Sequence, residues 1–105
     1  LTKGSMQWFW DQLRRSEADD HDPRFNLLKQ EYAKELQTKT LIVTAGFDPL
    51  CDEGVVYADL LENNGNEVKR LHFEELIHGF INLTNIRRAE SSTIKIFENI
   101  KGYLK

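Results

Sequence analysis

Two polar residues, Asp48 and His78, have the chemical types and the positions that general acid–base catalysis requires. Asp48 follows a β-branched apolar run at residues 41–44, and His78 comes shortly after a second apolar segment that alternates like a strand. A carboxylate beside a histidine orients the imidazole and stabilises its protonated form, so the other ring nitrogen can act as a general base toward a nucleophile. We therefore consider the two residues as candidate members of one catalytic set.

Each of the two residues also has a simpler structural interpretation. Asp48 precedes Pro49, and Asp followed by Pro is an ordinary N-cap and N1 pair at the start of a helix. His78 stands in an apolar loop, where a lone histidine is commonly a packing residue, and Gly79 permits a sharp backbone turn beside it. Taken one at a time, local rules favour these structural roles.

A βαβ unit would position both residues. The sequence predicts a strand at about 39–44, a helix at about 49–63 that Asn64-Gly65 ends, and a strand at about 67–73. Strands in such a unit are parallel, so the loops after their carboxyl ends emerge at the same edge of the sheet, where ligands of open α/β sheets bind. We expect Asp48 and His78 to lie side by side. The residues predicted to form the buried stripe of the intervening helix are Val56, Tyr57, Leu60 and Leu61.

Amphipathic segments flank this unit. Residues 2–16 predict an amphipathic helix with an aromatic face larger than so short a helix can bury by itself. The simpler interpretation of this face is ordinary core packing. The alternative is that it forms a wall that faces a ligand. Residues 17–23 predict a charged, solvated linker, and residues 25–36 carry a weaker apolar pattern. A terminal helix at 86–104 is expected to cover one face of the sheet. The residues that form the aromatic face of the first helix are Met6, Trp8, Phe9, Trp10 and Leu13.

Composition excludes several classes of function. At 105 residues the chain is about one small domain, and its net charge of −3 with scattered Lys and Arg gives no basic surface for nucleic acid. No apolar run is long enough to cross a bilayer. The single Cys51 allows no internal disulfide and favours a reducing, cytoplasmic compartment. The acidic stretch 17–22 with His21 lacks the ligand spacing of a recognised metal site.

Two motifs resemble those of the hormone-sensitive-lipase-like α/β-hydrolases. Gly46-Phe47-Asp48-Pro49-Leu50-Cys51-Asp52-Glu53-Gly54 resembles the family's "GxDPLxDEG" loop, and His78-Gly79-Phe80 resembles its "HGF" loop. The resemblance implies an α/β fold in which residues 1–37 are a cap and connecting segment, and residues 38–105 are the last two strands and their helices. Residues 6–10 and 21–28 resemble parts of that cap and connecting segment.

The resemblance also implies a function. Asp48 would be the acid and His78 the base of a carboxylesterase or lipase-type serine hydrolase that cleaves small acyl esters through an acyl-serine, with no metal or organic cofactor. The chain contains neither the family's G-x-S-x-G elbow nor its "HGG" motif, so we expect these parts to lie outside it and the chain alone to be inactive. Cys51 could be an alternative nucleophile, but a small packed residue at a helix start is the simpler role.

A competing hypothesis is a non-catalytic binding or structural module. A sheet that contains only the two predicted strands would leave a bare edge where preceding strands of the fold belong. Such an edge tends to pair with another chain, and the hypothesis therefore predicts self-association into a homo-oligomer.

Overall fold

The computed structural model describes residues 1–29 and 38–104. Over these residues the chain forms helix α1 (Lys3–Leu13), strand β1 (Thr40–Ala45), helix α2 (Cys51–Asn63), strand β2 (Val68–Phe73) and helix α3 (Arg87–Tyr103). Short 3-10 helices lie in the connections at Glu17–His21, Leu27–Lys29 and Phe80–Asn82. Most of the apolar pattern predicted over 25–36 falls outside the described residues.

Strands β1 and β2 pair in parallel, which confirms the predicted βαβ unit. The register runs from Thr40 opposite Val68 to Ala45 opposite Phe73, so both strands end at the same level of the sheet. Helix α2 ends where the Asn-Gly pair predicted, with Gly65 at φ 87° and its N–H donating to the Glu62 carbonyl. The left-handed conformation of Gly65 is one that residues with a Cβ rarely adopt, which explains glycine there.

Helix α3 covers one face of the sheet, as the sequence predicts. Its buried residues Ala89 and Ile96 pack with Ala45 at the end of β1 and with Leu76 and Phe80 of the loop after β2. The partly buried residues that surround this cluster come from both strands and the following loop: Leu41, Val43, Leu71, Phe73 and Leu83. The main apolar core therefore contains Leu76 and Phe80, which precede and follow His78 in the chain.

Helix α2 covers the other face through a narrower stripe than predicted. Ala58 and Leu61 are buried, whereas Val56, which was expected in the stripe, is 52% exposed. A two-stranded sheet has strands only about 4.8 Å apart, whereas a helix with its side chains is about 10 Å wide, so the sheet covers only part of an apolar helix face. Arg70 of β2 reaches Asp59 and Glu62 of α2 at 2.7 and 2.6 Å and joins the two elements at their edge.

Helix α1 begins with a capping box in which the Thr2 hydroxyl accepts the Ser5 N–H and the Ser5 hydroxyl accepts the Thr2 N–H. The interpretation of its aromatic face as ordinary core was wrong, because α1 has no buried residue. Trp8, Phe9 and Leu13 are exposed, and Trp10 packs on Phe25 with ring centroids 4.4 Å apart. The described residues provide a partner for only a small part of this face.

The linker after α1 is more ordered than a solvated loop. It contains the 3-10 helix Glu17–His21, in which the buried Asp19 accepts hydrogen bonds from the Arg15 backbone N–H and guanidinium. Asp22 accepts both the backbone N–H and the guanidinium of Arg24, and these hydrogen bonds lower the pKa of Asp22 from 3.8 to about 2. Arg15 likewise lowers the pKa of Asp19. Local ion pairs thus order the connection between α1 and Phe25.

Substitution of Ile96 by Ala tests the assignment of the α3 core face. Ile96 is 5% exposed, so Ile96→Ala should lower the free energy of unfolding by about 2–5 kcal/mol. Ile94, on the same helix, is 52% exposed, and Ile94→Ala should change it by less than about 1 kcal/mol. Denaturant titration of both variants measures the difference, and equal losses would show that α3 is rotated from the orientation described.

The Asp22–Arg24 pair predicts a pH dependence of stability. Because the folded pKa lies below the ordinary value of 3.8, the pair stabilises the folded state above about pH 4, and this contribution is lost as the pH falls toward about 2. The melting temperatures of the wild type and Asp22→Asn should therefore differ at pH 5 and converge near pH 2. About 1 M salt should reduce the difference at pH 5, since the Arg24 side chain is exposed. A difference that stays constant across this pH range would contradict the assignment.

Candidate active site

Asp48 lies in a tight turn between β1 and α2. The Asp48 N–H donates to the Ala45 carbonyl at 3.1 Å, and the Asp48 carbonyl accepts the Cys51 N–H at 3.0 Å. Helix α2 begins at Cys51 with Leu50 at its N-cap position, so the predicted start at Pro49 is two residues early and Asp48 is not the N-cap. The physical reason is an Asx turn, in which Asp48 Oδ1 accepts the Leu50 N–H at 2.8 Å and keeps the backbone out of the helix.

His78 lies in the loop that follows β2, between two buried anchors. Leu76 and Phe80 insert into the core, while Ile77 and His78 between them are exposed. Gly79 has φ 76° and ψ 15°, the left-handed conformation, and it turns the chain into the 3-10 helix Phe80–Asn82. Apolar burial on both sides therefore holds His78 at the rim of the sheet.

The structure brings Asp48 and His78 together. Nδ1 of His78 lies 2.9 Å from Oδ2 of Asp48, and a carboxylate only accepts, so Nδ1–H donates. The other oxygen, Oδ1, is held by the Leu50 N–H, which orients the carboxylate toward the imidazole. With Nδ1 committed to Asp48, Nε2 is the ring nitrogen that can exchange a proton with a reacting group. The side chain of His78 is 45% exposed and that of Asp48 is 16% exposed, so the imidazole faces outward while the carboxylate is partly buried.

Cys51 lies three residues beyond Asp48 in the chain, and no hydrogen bond joins it to His78 among the described residues. It is half-buried as the first residue of α2, and it lines a cavity of about 390 Å³ together with Asp48, Trp10 and Tyr57. His78 is not among the residues that line this cavity. The arrangement therefore does not favour Cys51 as a nucleophile paired with His78. The neighbouring Asp52 and Glu53 lie in the first turn of α2, where carboxylates interact favourably with the helix dipole.

Sequence reasoning missed two contacts at this edge of the sheet. The Asx turn to the Leu50 N–H could have been predicted from Asp-Pro-Leu, because Asp side chains commonly bond the backbone two residues later. The second contact joins Thr44 Oγ1 to His72 Nδ1 at 2.8 Å across the two strands. Thr44 and His72 are directly opposite in the register, which a correctly aligned strand pair would have revealed.

Neither a metal centre nor a membrane span is found in the part of the chain that the structure describes. Over residues 1–29 and 38–104, no three His, Cys, Asp or Glu side chains are grouped so that they could hold a metal ion. Among the helices of the same residues, none combines the length and apolar character needed to cross a bilayer.

Comparison with known proteins identifies the family. The sequence profile of the alpha/beta hydrolase fold matches residues 1–82. The chain belongs to this family, in its hormone-sensitive-lipase-like branch. Among curated relatives of this α/β hydrolase, carboxylic ester hydrolase LipN of Mycobacterium tuberculosis is 45% identical over 106 residues, which cover 99% of the chain and 28% of LipN.

Solved structures and more distant relatives agree with the assignment to the α/β-hydrolase fold. An esterase of Pyrobaculum calidifontis superimposes with a TM-score of 0.88 at 30% identity, over 99% of this chain and 34% of the esterase. Gibberellin receptor GID1A of Arabidopsis thaliana is 32% identical over 89 residues, which cover 81% of this chain and 26% of the receptor. The chain thus spans about a third of the length of these proteins or less. Because relatives include both enzymes and a receptor, function must be argued from the site.

Substitution of Gly79 tests how the backbone holds His78. A Cβ at Gly79 would meet no atom within 4 Å, so the cost of Gly79→Ala is conformational and should be about 1–2 kcal/mol of unfolding free energy. Gly102 of α3 also has open space around it but helical geometry, so Gly102→Ala should be neutral or stabilising by up to about 1 kcal/mol. Thermal or denaturant unfolding measures both. A loss of stability in Gly102→Ala and none in Gly79→Ala would contradict the backbone assignment.

Proposed function

We propose that this chain supplies the acid and the base of a carboxylic ester hydrolase that works through an acyl-serine intermediate. Asp48 is the acid that orients the histidine, and His78 is the general base. The observation that carries the proposal is the 2.9 Å contact between His78 Nδ1 and Asp48 Oδ2, with the second carboxylate oxygen anchored by backbone. The similarity to LipN and to the Pyrobaculum esterase supports an ester as the substrate class.

In the acylation step, Nε2 of His78 would accept the proton of a serine hydroxyl as the serine oxygen attacks the ester carbonyl carbon. The carbonyl π electrons move to oxygen and form a tetrahedral oxyanion. Asp48 stabilises the imidazolium that results, through the hydrogen bond at Nδ1. The imidazolium then donates its Nε2 proton to the leaving alkoxide as the carbon–oxygen bond breaks, and an alcohol departs from the acyl-serine.

Deacylation repeats the same proton transfers with water. His78 Nε2 takes a proton from water as the water oxygen attacks the acyl carbon, and the second tetrahedral intermediate collapses to release the carboxylic acid. The Nε2 proton returns to the serine oxygen, so the histidine ends in its starting state. No step in this scheme requires a metal or an organic cofactor, because one imidazole accepts the proton of the nucleophile and donates a proton to the leaving group.

The nucleophile and the oxyanion hole lie outside residues 1–105 in this proposal. The serines of the chain, at positions 5, 16, 91 and 92, have no G-x-S-x-G surroundings. LipN is more than three times as long as the region that matches this chain, so a relative has ample sequence for both parts. The 105-residue chain is therefore proposed to be inactive by itself.

Within the proposal, residues 1–37 form a cap and connecting segment and residues 38–105 the last two strands with their helices. One ring contact and the exposed apolar surface of α1 support the assignment of the first segment as a cap. Trp10 of α1 packs on Phe25, and both rings line the same cavity as Asp48. The exposed Trp8 and Phe9 extend the apolar surface of α1, which suits the wall of a site for an acyl chain.

A non-catalytic, self-associating module is the second candidate. It is favoured by the sheet, because β1 and β2 each have one hydrogen-bonded neighbour in the described residues and so present an open edge. Size-exclusion chromatography of the 105-residue chain tests this candidate. A folded monomer would contradict edge association, whereas a concentration-dependent dimer would support it.

Active-site substitutions in the full-length gene product test the catalytic proposal. Asp48→Asn should lower kcat for a short-chain 4-nitrophenyl ester by about 10⁴-fold, because the amide no longer holds the correct tautomer of His78. His78→Ala should cause a loss at least as large, since it removes the base. The matched controls are Asp52→Asn and His72→Ala, which alter a carboxylate and an imidazole near the pair and should leave kcat within about threefold of the wild type. Near-normal turnover in Asp48→Asn and His78→Ala would exclude the assigned roles.

A further inference from the structure

The loop that carries Asp48 and the loop that carries His78 are joined through their backbones. The Gly46 N–H donates to the Phe73 carbonyl at 2.9 Å, and the Phe47 N–H donates to the Leu76 carbonyl at 3.0 Å. The Phe73 carbonyl also accepts the Leu76 N–H at 3.2 Å, which closes a turn around Glu74. Asp48 is two residues beyond Gly46, and His78 is two residues beyond Leu76. The distance between the loops therefore governs the distance between the acid and the base.

Gly46 sits where the two loops come closest. A Cβ added to it would lie 2.1 Å from the carbonyl oxygen of Glu74, 2.7 Å from its carbonyl carbon and 2.8 Å from its Cα. A carbon and a carbonyl oxygen in contact are normally at least about 3.3 Å apart, so the loops would have to separate by about 1 Å. The clashing atoms are backbone, and a rotamer change at Glu74 cannot relieve the clash.

The need for glycine at position 46 is steric rather than conformational. The glycines with positive φ among the described residues are Gly65 and Gly79, so Gly46 has a backbone conformation that other residues can adopt. Gly79 shows the opposite case, with left-handed backbone and open space. The missing side chain of Gly46 therefore serves the approach of one loop to the other.

We propose that Gly46 is a positioning residue for the acid–base pair: its lack of a side chain lets the two loops close until Asp48 reaches His78. This inference rests on the proposed function, and it adds a residue that touches neither the substrate nor the reacting atoms. A separation of about 1 Å would stretch the 2.9 Å contact beyond hydrogen-bonding distance, and misplacement of this size costs about 10²-fold in rate.

The test compares Gly46→Ala with Gly102→Ala in the full-length gene product. Gly46→Ala should lower kcat for a short-chain 4-nitrophenyl ester by about 10²-fold and change KM by less than about threefold, because the substrate surface remains while proton transfer is impaired. It should also remove the low-field NMR signal of the His78 Nδ1 proton, which depends on a short hydrogen bond to a carboxylate. Gly102→Ala, with open space around its Cβ, should match the wild type in both measurements.

Amide hydrogen exchange of the wild type provides a measurement that does not depend on a folded variant. The Gly46 and Phe47 amide protons should exchange about as slowly as those in the middle of β1, because they hold the loops together. Exchange at the rate of exposed loops would overturn the inference. So would wild-type kcat, or an unchanged His78 signal, in a folded Gly46→Ala protein.

Failure of the positioning role is distinguishable from failure of the proposed function. If Asp48→Asn and His78→Ala retain normal turnover, the catalytic assignment itself is wrong. If both abolish turnover while Gly46→Ala retains full kcat and the His78 signal, the catalytic assignment stands and the positioning role of Gly46 is wrong.

Discussion

The parallel, in-register pairing of β1 with β2 is the constraint on which the rest of the site depends. Because Ala45 lies opposite Phe73, the two strands end at one level, and the chain leaves both of them at the same edge. The backbone hydrogen bonds from Gly46 and Phe47 to the second loop continue the pairing one step beyond the sheet. A shift of one residue would turn the strand faces over and separate Asp48 from His78. The side-chain contact is thus a consequence of backbone geometry that begins several residues earlier.

The segment around His78 combines buried anchor residues with an exposed imidazole. Leu76 and Phe80 are fixed in the core against Ala89 and Ile96 of α3, and His78 between them faces outward. This arrangement suits a catalytic base, whose position must be held while one ring nitrogen stays accessible. A large share of the remaining apolar surface, including the aromatic face of α1 and the outer face of α3, is exposed. The chain spans 28% of LipN and 34% of the Pyrobaculum esterase.

The sequence patterns agree with the structure best where a strong local backbone signal marks an element, and less well where side-chain contacts decide the outcome. The elements were predicted within one or two residues where local signals dominate, as at the Asn64-Gly65 helix end and over the strand at 68–73. The buried stripe of α2 was partly wrong at Val56 because burial depends on the width of the sheet beneath the helix, which periodicity does not encode. The start of α2 was misplaced because the hydrogen bond from the Leu50 backbone N–H to the Asp48 side chain competes with the first helical turn.

The sequence by itself determined the parallel βαβ unit, the family and the two residues worth pairing, because residue type, periodicity and motif order are local properties of the chain. Only the tertiary structure decided that Asp48 Oδ1 is occupied by the Leu50 N–H while Oδ2 faces His78, and that the first helix leaves its aromatic face exposed. The structure also showed that the two glycines of the site have different roles. Gly79 is needed for its left-handed backbone angles, whereas a Cβ at Gly46 would clash with the Glu74 carbonyl oxygen, 28 positions away in the chain. The physical reason is that steric contact and hydrogen-bond geometry between loops depend on distances that arise only when the two strands have paired.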